Sequence, residues 1–154
     1  MSIEIEKKFL VKSDAYKAYA KPVLFRQGYL STSTGRTVRV RRYDDKGFIT
    51  VKGKTHYCSR LEYEYRIPTE DADSMLNNLC VQPIIEKVRH FLEYKGNEWV
   101  VDEFLGANEG LIVAEIELNN EKDSFEKPDW LGTEITSDTR YYNSNLVNNP
   151  YKTW

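Results

Sequence analysis

One feature restricts this chain more than any other. Charged residues recur at every second position, often in pairs of like sign, along runs whose intervening positions are apolar. Ile3–Val11 (IEIEKKFLV) places Glu4, Glu6 and Lys8 on one face and Ile3, Ile5, Phe9 and Val11 on the other, with Lys7 interrupting the second. A period of two is that of a β-strand. One such run describes any half-buried strand with its charges in water. Here it returns along the chain: Arg39 and Arg41 against Val38 and Val40, Lys52 between Thr50 and Lys54 against Ile49 and Val51, Glu62 and Glu64 between Arg60 and Arg66 against Leu61, Tyr63, Tyr65 and Ile67, Lys87 and Arg89 against Val88, His90 and Leu92, and Glu115 and Glu117 against Ile112, Ala114, Ile116 and Leu118.

The pattern predicts eight strands, at Ile3–Val11, Val23–Leu30, Arg36–Tyr43, Phe48–Lys54, Ser59–Ile67, Ile84–Tyr94, Glu98–Leu105 and Leu111–Leu118. Asp102 joins the charged face if the seventh is oriented like the others. Turn chemistry separates them at Ser31–Gly35, Asp44–Gly47 and Lys95–Asn97. A short helix is expected over Asp14–Ala20, capped by Ser13 and stopped before Pro22. A second follows Pro68, capped by Thr69, with Glu70, Asp71 and Asp73 in its first turn and an apolar stripe of Ala72, Met75, Leu76 and Leu79. Asn120–Phe125 reads as a helical turn, Thr133–Thr136 as a short strand, and Thr139–Leu146 as a last helix capped by Ser137 or Asp138. The tail, Asn148–Trp154, reads as frayed or loosely docked.

Short turns between many strands predict an α+β, mainly β fold: an eight-stranded antiparallel closed barrel with a few covering helices, one domain over residues 1–154. The charged faces can then point to bulk water or line a lumen. Two observations favour the lumen. Like charges two residues apart repel along a strand, which makes sense around a shared multivalent partner. The opposite faces carry Tyr, Ile, Val and Leu, which helices with apolar stripes can cover.

Composition excludes much else. Lys and Arg total 22 against 24 Asp and Glu, a net charge of −2, which argues against a general nucleic-acid binder. Cys58 and Cys80 form neither a disulfide framework nor a zinc motif and read as free thiols, and His56 and His90 stand alone. No stretch suits a membrane span or a signal peptide, so a cytoplasmic location is expected. Acidic pairs suit a hard divalent cation and basic pairs suit phosphate oxygens. Mg²⁺ or Mn²⁺ with a chain of phosphates satisfies both. No Walker A loop or GxGxxG is present.

These residues resemble the CYTH domain of the triphosphate tunnel metalloenzyme superfamily. The resemblance rests on ExExK at Glu4–Lys8, with RQGYL (Arg26–Leu30), RVR (Arg39–Arg41), VKG (Val51–Gly53), EYE (Glu62–Glu64), EKVR (Glu86–Arg89), VDEF (Val101–Phe104), EIE (Glu115–Glu117) and DTRYYN (Asp138–Asn143) in order. It is greatest to the short bacterial branch that hydrolyses inorganic tripolyphosphate, and implies an eight-stranded barrel forming a tunnel. The resemblance implies that Lys8, Arg39, Arg41, Lys52, Lys87 and Arg89 bind the triphosphate. It makes Glu4, Glu6, Glu115 and Glu117 metal ligands and leaves Glu62, Glu64 and Asp102 open for activating water. It has Tyr29 orient the ExExK lysine or its neighbours, and Arg140 close one tunnel mouth and contact phosphate. Lys54 and Arg60 are weaker candidates. A nucleoside or thiamine triphosphatase, a class IV adenylate cyclase and a polyphosphate-binding module are the alternatives. The cyclases carry an HF pair before ExExK, which this chain lacks. The sequence leaves the oligomeric state open, with a homodimer through exposed strands or the tyrosine-rich surface as one option.

Overall fold

The computed structural model describes residues 2–154. Its strands are β1 (Ile3–Val11), β2 (Lys21–Ser33), β3 (Arg36–Tyr43), β4 (Lys46–Gly53), β5 (Ser59–Ile67), β6 (Ile85–Tyr94), β7 (Asn97–Phe104), β8 (Ile112–Glu117) and β9 (Leu131–Glu134). The pairings are antiparallel, and the order around the sheet is β1-β5-β4-β3-β2-β6-β7-β8, with β8 returning to β1. The closed eight-stranded barrel is therefore present. Closure falls on β1. Along one edge it pairs with β8 from Glu6 to Leu10. Its other edge is shared: Ile3–Ile5 meet β5, and Phe9 and Val11 meet the extra strand β9. The ninth strand thus covers the stretch of edge that β5 leaves unpaired.

The charged faces point inward. Outside, Phe9, Trp99, Val101, Ala114 and Ile116 pack with Tyr16, Trp130 and Leu131 from the segments around Ala15–Ala18 and before β9. Their rings meet edge to face or tilted, as at Phe9–Trp99 (5.9 Å) and Trp99–Trp130 (5.9 Å). Helix α1 (Thr69–Asn78) lays Ala72 and Leu76 over Val40 and Cys80 elsewhere on the outer surface. Gly47 permits this contact, because a Cβ there would stand 2.9 Å from the Ala72 Cβ. The expected covering is incomplete on β5, where Leu61, Tyr63 and Tyr65 are exposed.

Several local expectations are corrected. Asp14–Ala20 holds only a 3-10 turn, Ala15–Ala18. Four residues before a β2 that starts at Lys21 leave no room for a costly helical nucleus. Thr69 does not cap α1: its Oγ1 donates to the Asp45 carbonyl, and Pro68 takes the cap position. Asn120–Phe125 forms turns without a helix. The last helix is split by Tyr142, whose ψ of 131° separates a 3-10 turn, Thr139–Tyr141, from α2 (Asn143–Leu146). The tail is docked: Tyr151 N donates to Asn108 Oδ1 at 2.8 Å, Trp154 Nε1 donates to the Asn149 carbonyl at 3.0 Å, and the Trp154 ring packs edgewise on Tyr141 and Tyr151. No helix among the described residues is long and apolar enough to cross a membrane.

The C-terminal segment decides the barrel's depth. Moving two residues along the inward face turns Lys8 to Leu10, Lys87 to Ile85, Asp102 to Phe104 and Glu115 to Val113. These four apolar residues, with Tyr29 and Ile135, pack against Tyr141, Leu146 and Val147. Leu146 is fully buried. One end of the barrel is filled, and the charged rows above it line the remaining space.

Candidate active site

That space is a cavity of about 250 Å³. It lies just below the ~300–1,000 Å³ typical of pockets for drug-sized ligands. Seven cations line it (Lys8, Arg39, Arg41, Lys52, Arg60, Lys87 and Arg89) and six carboxylates (Glu4, Glu6, Glu62, Glu64, Glu115 and Glu117). Alternation on β1, β3, β4, β5, β6 and β8 carries all thirteen to one interior. The near balance of charge matters: the lining offsets a polyanion only in part, and a further cation would strengthen its binding.

The mouth is acidic and laced by lysines. Lys8 Nζ stands 3.0 Å from Glu6 Oε1 and 3.1 Å from Glu115 Oε1, and Lys52 Nζ stands 2.7 Å from Glu4 Oε2 and 3.3 Å from Glu62 Oε2. Burial opposes the charge on Lys8, but Glu115 and Glu6 outweigh it and raise its pKa well above the usual ammonium value. Partial burial, and the neighbouring carboxylates of Glu4, Glu6 and Glu62, push the Glu117 carboxyl up. Crowded carboxylate oxygens with no imidazole among them fit a hard divalent cation by chemistry, and burial pushes up the pKa of the one thiol in the lining, Cys58. Glu4 Oε2 supports the fit, being buried without a hydrogen bond of good geometry despite its ion pair to Lys52. Among the described residues no three Asp, Glu, His or Cys side chains are gathered as a ligand set. Lys8 and Lys52 occupy positions between them.

The floor is basic and rigid. Asp102 is fully buried; Lys87 Nζ donates to its Oδ2 at 2.7 Å, while Arg89 donates through Nε to Oδ1 and through Nη2 to Oδ2, both at 2.8 Å. Burial alone would raise its pKa, but Arg89 and Lys87 hold it well below the carboxylate range. Burial and the adjacent Arg89 and Arg41 lower the pKa of Lys87. Arg39 Nη2 donates to Thr50 Oγ1 at 3.1 Å and to Glu64 Oε2 at 3.4 Å. Arg41 is held differently, by two hydrogen bonds to Gln27 Oε1. Burial and the neighbouring Arg39 and Arg89 lower its pKa to about 9, and it remains a cation at neutral pH.

Most of the expected site residues meet in this cavity, and two do not. Asp102 lies behind Lys87 and Arg89 with both oxygens accepting hydrogen bonds, so of the three acids left open for activating water it is the one outside the cavity lining. Arg140 sits outside on the 3-10 turn, paired with Asp138 at 2.8 Å and stacked 4.8 Å from the Trp154 ring. The barrel end is filled by Leu146 and Val147 instead. Tyr29 lines the cavity, but its ring belongs to the apolar filling, beside Ile85 and Phe104. Arg60 faces the cavity and donates to Thr37 Oγ1 at 3.1 Å; Lys54 is exposed elsewhere. Gln27 and Asn143 were not anticipated. A single amide on a strand and one after a turn carry no periodic signal. Cys58 and Cys80 are free and buried.

Comparison with known proteins agrees with this geometry. The CYTH domain model matches residues 2–149. The chain is 57% identical over 152 residues to an inorganic triphosphatase of Acetivibrio thermocellus, covering 99% of this chain and 97% of that one. It is 34% identical over 149 residues to an inorganic triphosphatase of Nitrosomonas europaea, covering 94% and 96%. A crystal structure of an inorganic triphosphatase superposes with a TM-score of 0.66 at 31% identity, over 93% of this chain and 96% of that one.

Proposed function

This chain belongs to the CYTH domain family, and from that premise we propose that it is a divalent-metal-dependent triphosphatase whose substrate is inorganic tripolyphosphate. The observation that carries this is the cavity lining, a basic floor beneath an acidic mouth in one small closed barrel. The relatives named inorganic triphosphatase across nearly the whole chain support the same chemistry. The cavity volume favours a bare triphosphate over one that must bury a nucleoside as well.

In this reading Arg39, Arg41, Lys87 and Arg89 align the phosphate chain. Their positive charge stabilises the negative charge that builds on the leaving phosphate, and because the groups are held before substrate arrives, little reorganisation is needed. Glu4, Glu6, Glu115 and Glu117 are the proposed metal ligands, with Glu62 beside them. A bound Mg²⁺ or Mn²⁺ there offsets substrate charge and polarises phosphate oxygens. Lys8 and Lys52, each paired with two cavity carboxylates, are the further cations that would bind phosphate. Glu62 and Glu64 face the cavity and stand as the candidates for positioning water; Asp102 is fully engaged elsewhere. The proposed catalytic unit spans the whole chain.

The test is orthophosphate release from tripolyphosphate, ATP and thiamine triphosphate in parallel, each with Mg²⁺, Mn²⁺ or EDTA. Fast metal-dependent release from tripolyphosphate with little from ATP is expected. Pyrophosphate from ATP without orthophosphate would replace this reading with a cyclase. Tight tripolyphosphate binding without turnover would leave a binding module.

A further inference from the structure

Two of the seven cavity cations, Arg41 and Arg60, have no carboxylate within 4.0 Å among the described residues; Arg60 meets the Thr37 hydroxyl, and Arg41 alone is held by a buried amide. Lys8, Arg39, Lys52, Lys87 and Arg89 each lie within 4.0 Å of a carboxylate, whereas Arg41 is fixed by a neutral amide. Its Nε and Nη2 donate to Gln27 Oε1 at 3.0 and 2.9 Å. Gln27 is fully buried, and its Nε2 donates to Asn143 Oδ1 at 2.8 Å. The same Asn143 oxygen accepts from Lys87 Nζ at 3.0 Å. The path runs from Arg41 through two amides to Lys87 and crosses from β2 to the first residue of α2.

The chemistry of the ends sets its direction. Guanidinium and ammonium groups only donate hydrogen bonds. An oxygen must therefore face each of them: Gln27 turns Oε1 to Arg41, and Asn143 turns Oδ1 to Lys87. Gln27 Nε2 then meets the second lone pair of the Asn143 oxygen, and the amide is satisfied without water. The neutral amide also fixes Arg41 without cancelling its charge, unlike the carboxylates that hold Lys8, Arg39, Lys52, Lys87 and Arg89.

We propose that Gln27 and Asn143 are positioning residues, an amide relay that holds Arg41 and Lys87 at the cavity floor with Arg41 uncompensated, so that substrate phosphate becomes its counter-ion. The relay also ties affinity for a polyanion to docking of the C-terminal segment, since Asn143 opens the helix whose Leu146 fills the barrel end. The inference rests on the triphosphatase reading for its ligand.

Four variants test it: Gln27→Glu, Gln27→Met, Asn143→Ala and the Gln27→Met/Asn143→Ala double. Affinity for inorganic tripolyphosphate is measured by calorimetry in EDTA, orthophosphate release with Mg²⁺, and folding by thermal melting. Gln27→Met should weaken affinity about tenfold, the scale of one charge-assisted hydrogen bond. Gln27→Glu should weaken it further despite its near-identical shape. The new carboxylate neutralises Arg41 and meets the Asn143 oxygen acceptor to acceptor. A merely structural Gln27 would give the reverse order, because the isosteric change disturbs packing least. The double variant should bind no worse than Gln27→Met alone, since either change interrupts one path. Wild-type affinity in Gln27→Glu, or single effects that multiply in the double, would overturn the relay. Wild-type protein that binds tripolyphosphate without hydrolysing it would remove the triphosphatase and leave the relay to be judged on the affinities; failure of the wild type to bind would overturn both.

Discussion

The two levels of the barrel interior are built from the same residue types and behave differently. At the mouth, Lys8 and Lys52 each divide one ammonium between two carboxylates, with about 15% of each lysine side chain accessible. At the floor, Asp102 is clamped from two sides with no exposure, and Arg41 is held by a buried amide. A single ammonium shared between two acids can be exchanged for another cation at little cost in packing. A guanidinium locked in two directed bonds cannot. The mouth suits rearrangement on binding and the floor suits preorganisation, which is where charge-stabilising groups are most effective.

The largest effect that would test this contrast is at the floor. Asp102→Asn is expected to destabilise the fold by about 3–5 kcal/mol, the usual cost of leaving buried charges without their partner. The Asp102 pKa is depressed in the folded state, so its contribution is present above the ordinary carboxylate pKa and is lost as pH falls below it. Denaturation of the two proteins should therefore differ at pH 7 and converge in acid.

At the mouth, Glu4→Ala/Glu6→Ala should fold with near-normal stability yet lose at least about 100-fold in metal-dependent turnover, a loss of about 2.7 kcal/mol in transition-state stabilisation. Wild-type turnover in that double variant would remove the metal assignment. Glu117→Gln should show a smaller effect of opposite sign. The raised pKa means that ionised Glu117 costs stability as pH rises through its titration. The metal-free variant should melt above wild type at pH 7 and lose the advantage as pH falls into the ordinary carboxylate range, a scan that calorimetry can follow. By the same sign, Mg²⁺ or Mn²⁺ should raise the wild-type melting temperature more at pH 7 than at pH 5. Arg140→Ala, outside both levels, should change turnover less than twofold. A larger loss in steady-state assays would return Arg140 to the site.

Legibility in the sequence followed the same division. β3 and β5 have the bounds that alternation predicts, Arg36–Tyr43 and Ser59–Ile67. In both, apolar residues on one face alternate with charged ones on the other through the middle of the strand (Val38 and Val40 against Arg39 and Arg41; Leu61, Tyr63 and Tyr65 against Glu62 and Glu64), so the period is unambiguous. The cavity-facing acids and bases were readable for that reason. Asp102 shows the limit: its face was right, but alternation says nothing about how deep in the barrel a residue lies or whether its neighbours close over it. Arg140 shows another, because its pairing with Asp138 and its stacking on the docked Trp154 ring keep it outside the barrel, and no local pattern encodes that contact with the tail. Gln27 and Asn143 were invisible because their role exists only between them, 116 residues apart in sequence.

The sequence by itself determined the strands, their inward charges and the kind of ligand such charges admit, because a two-residue period is a local property of backbone geometry and side-chain polarity. The tertiary structure alone decided depth and pairing. Which end of the barrel the C-terminal segment fills, which bases a buried carboxylate neutralises and which one a neutral amide leaves charged all depend on contacts between distant segments, and no local pattern encodes them.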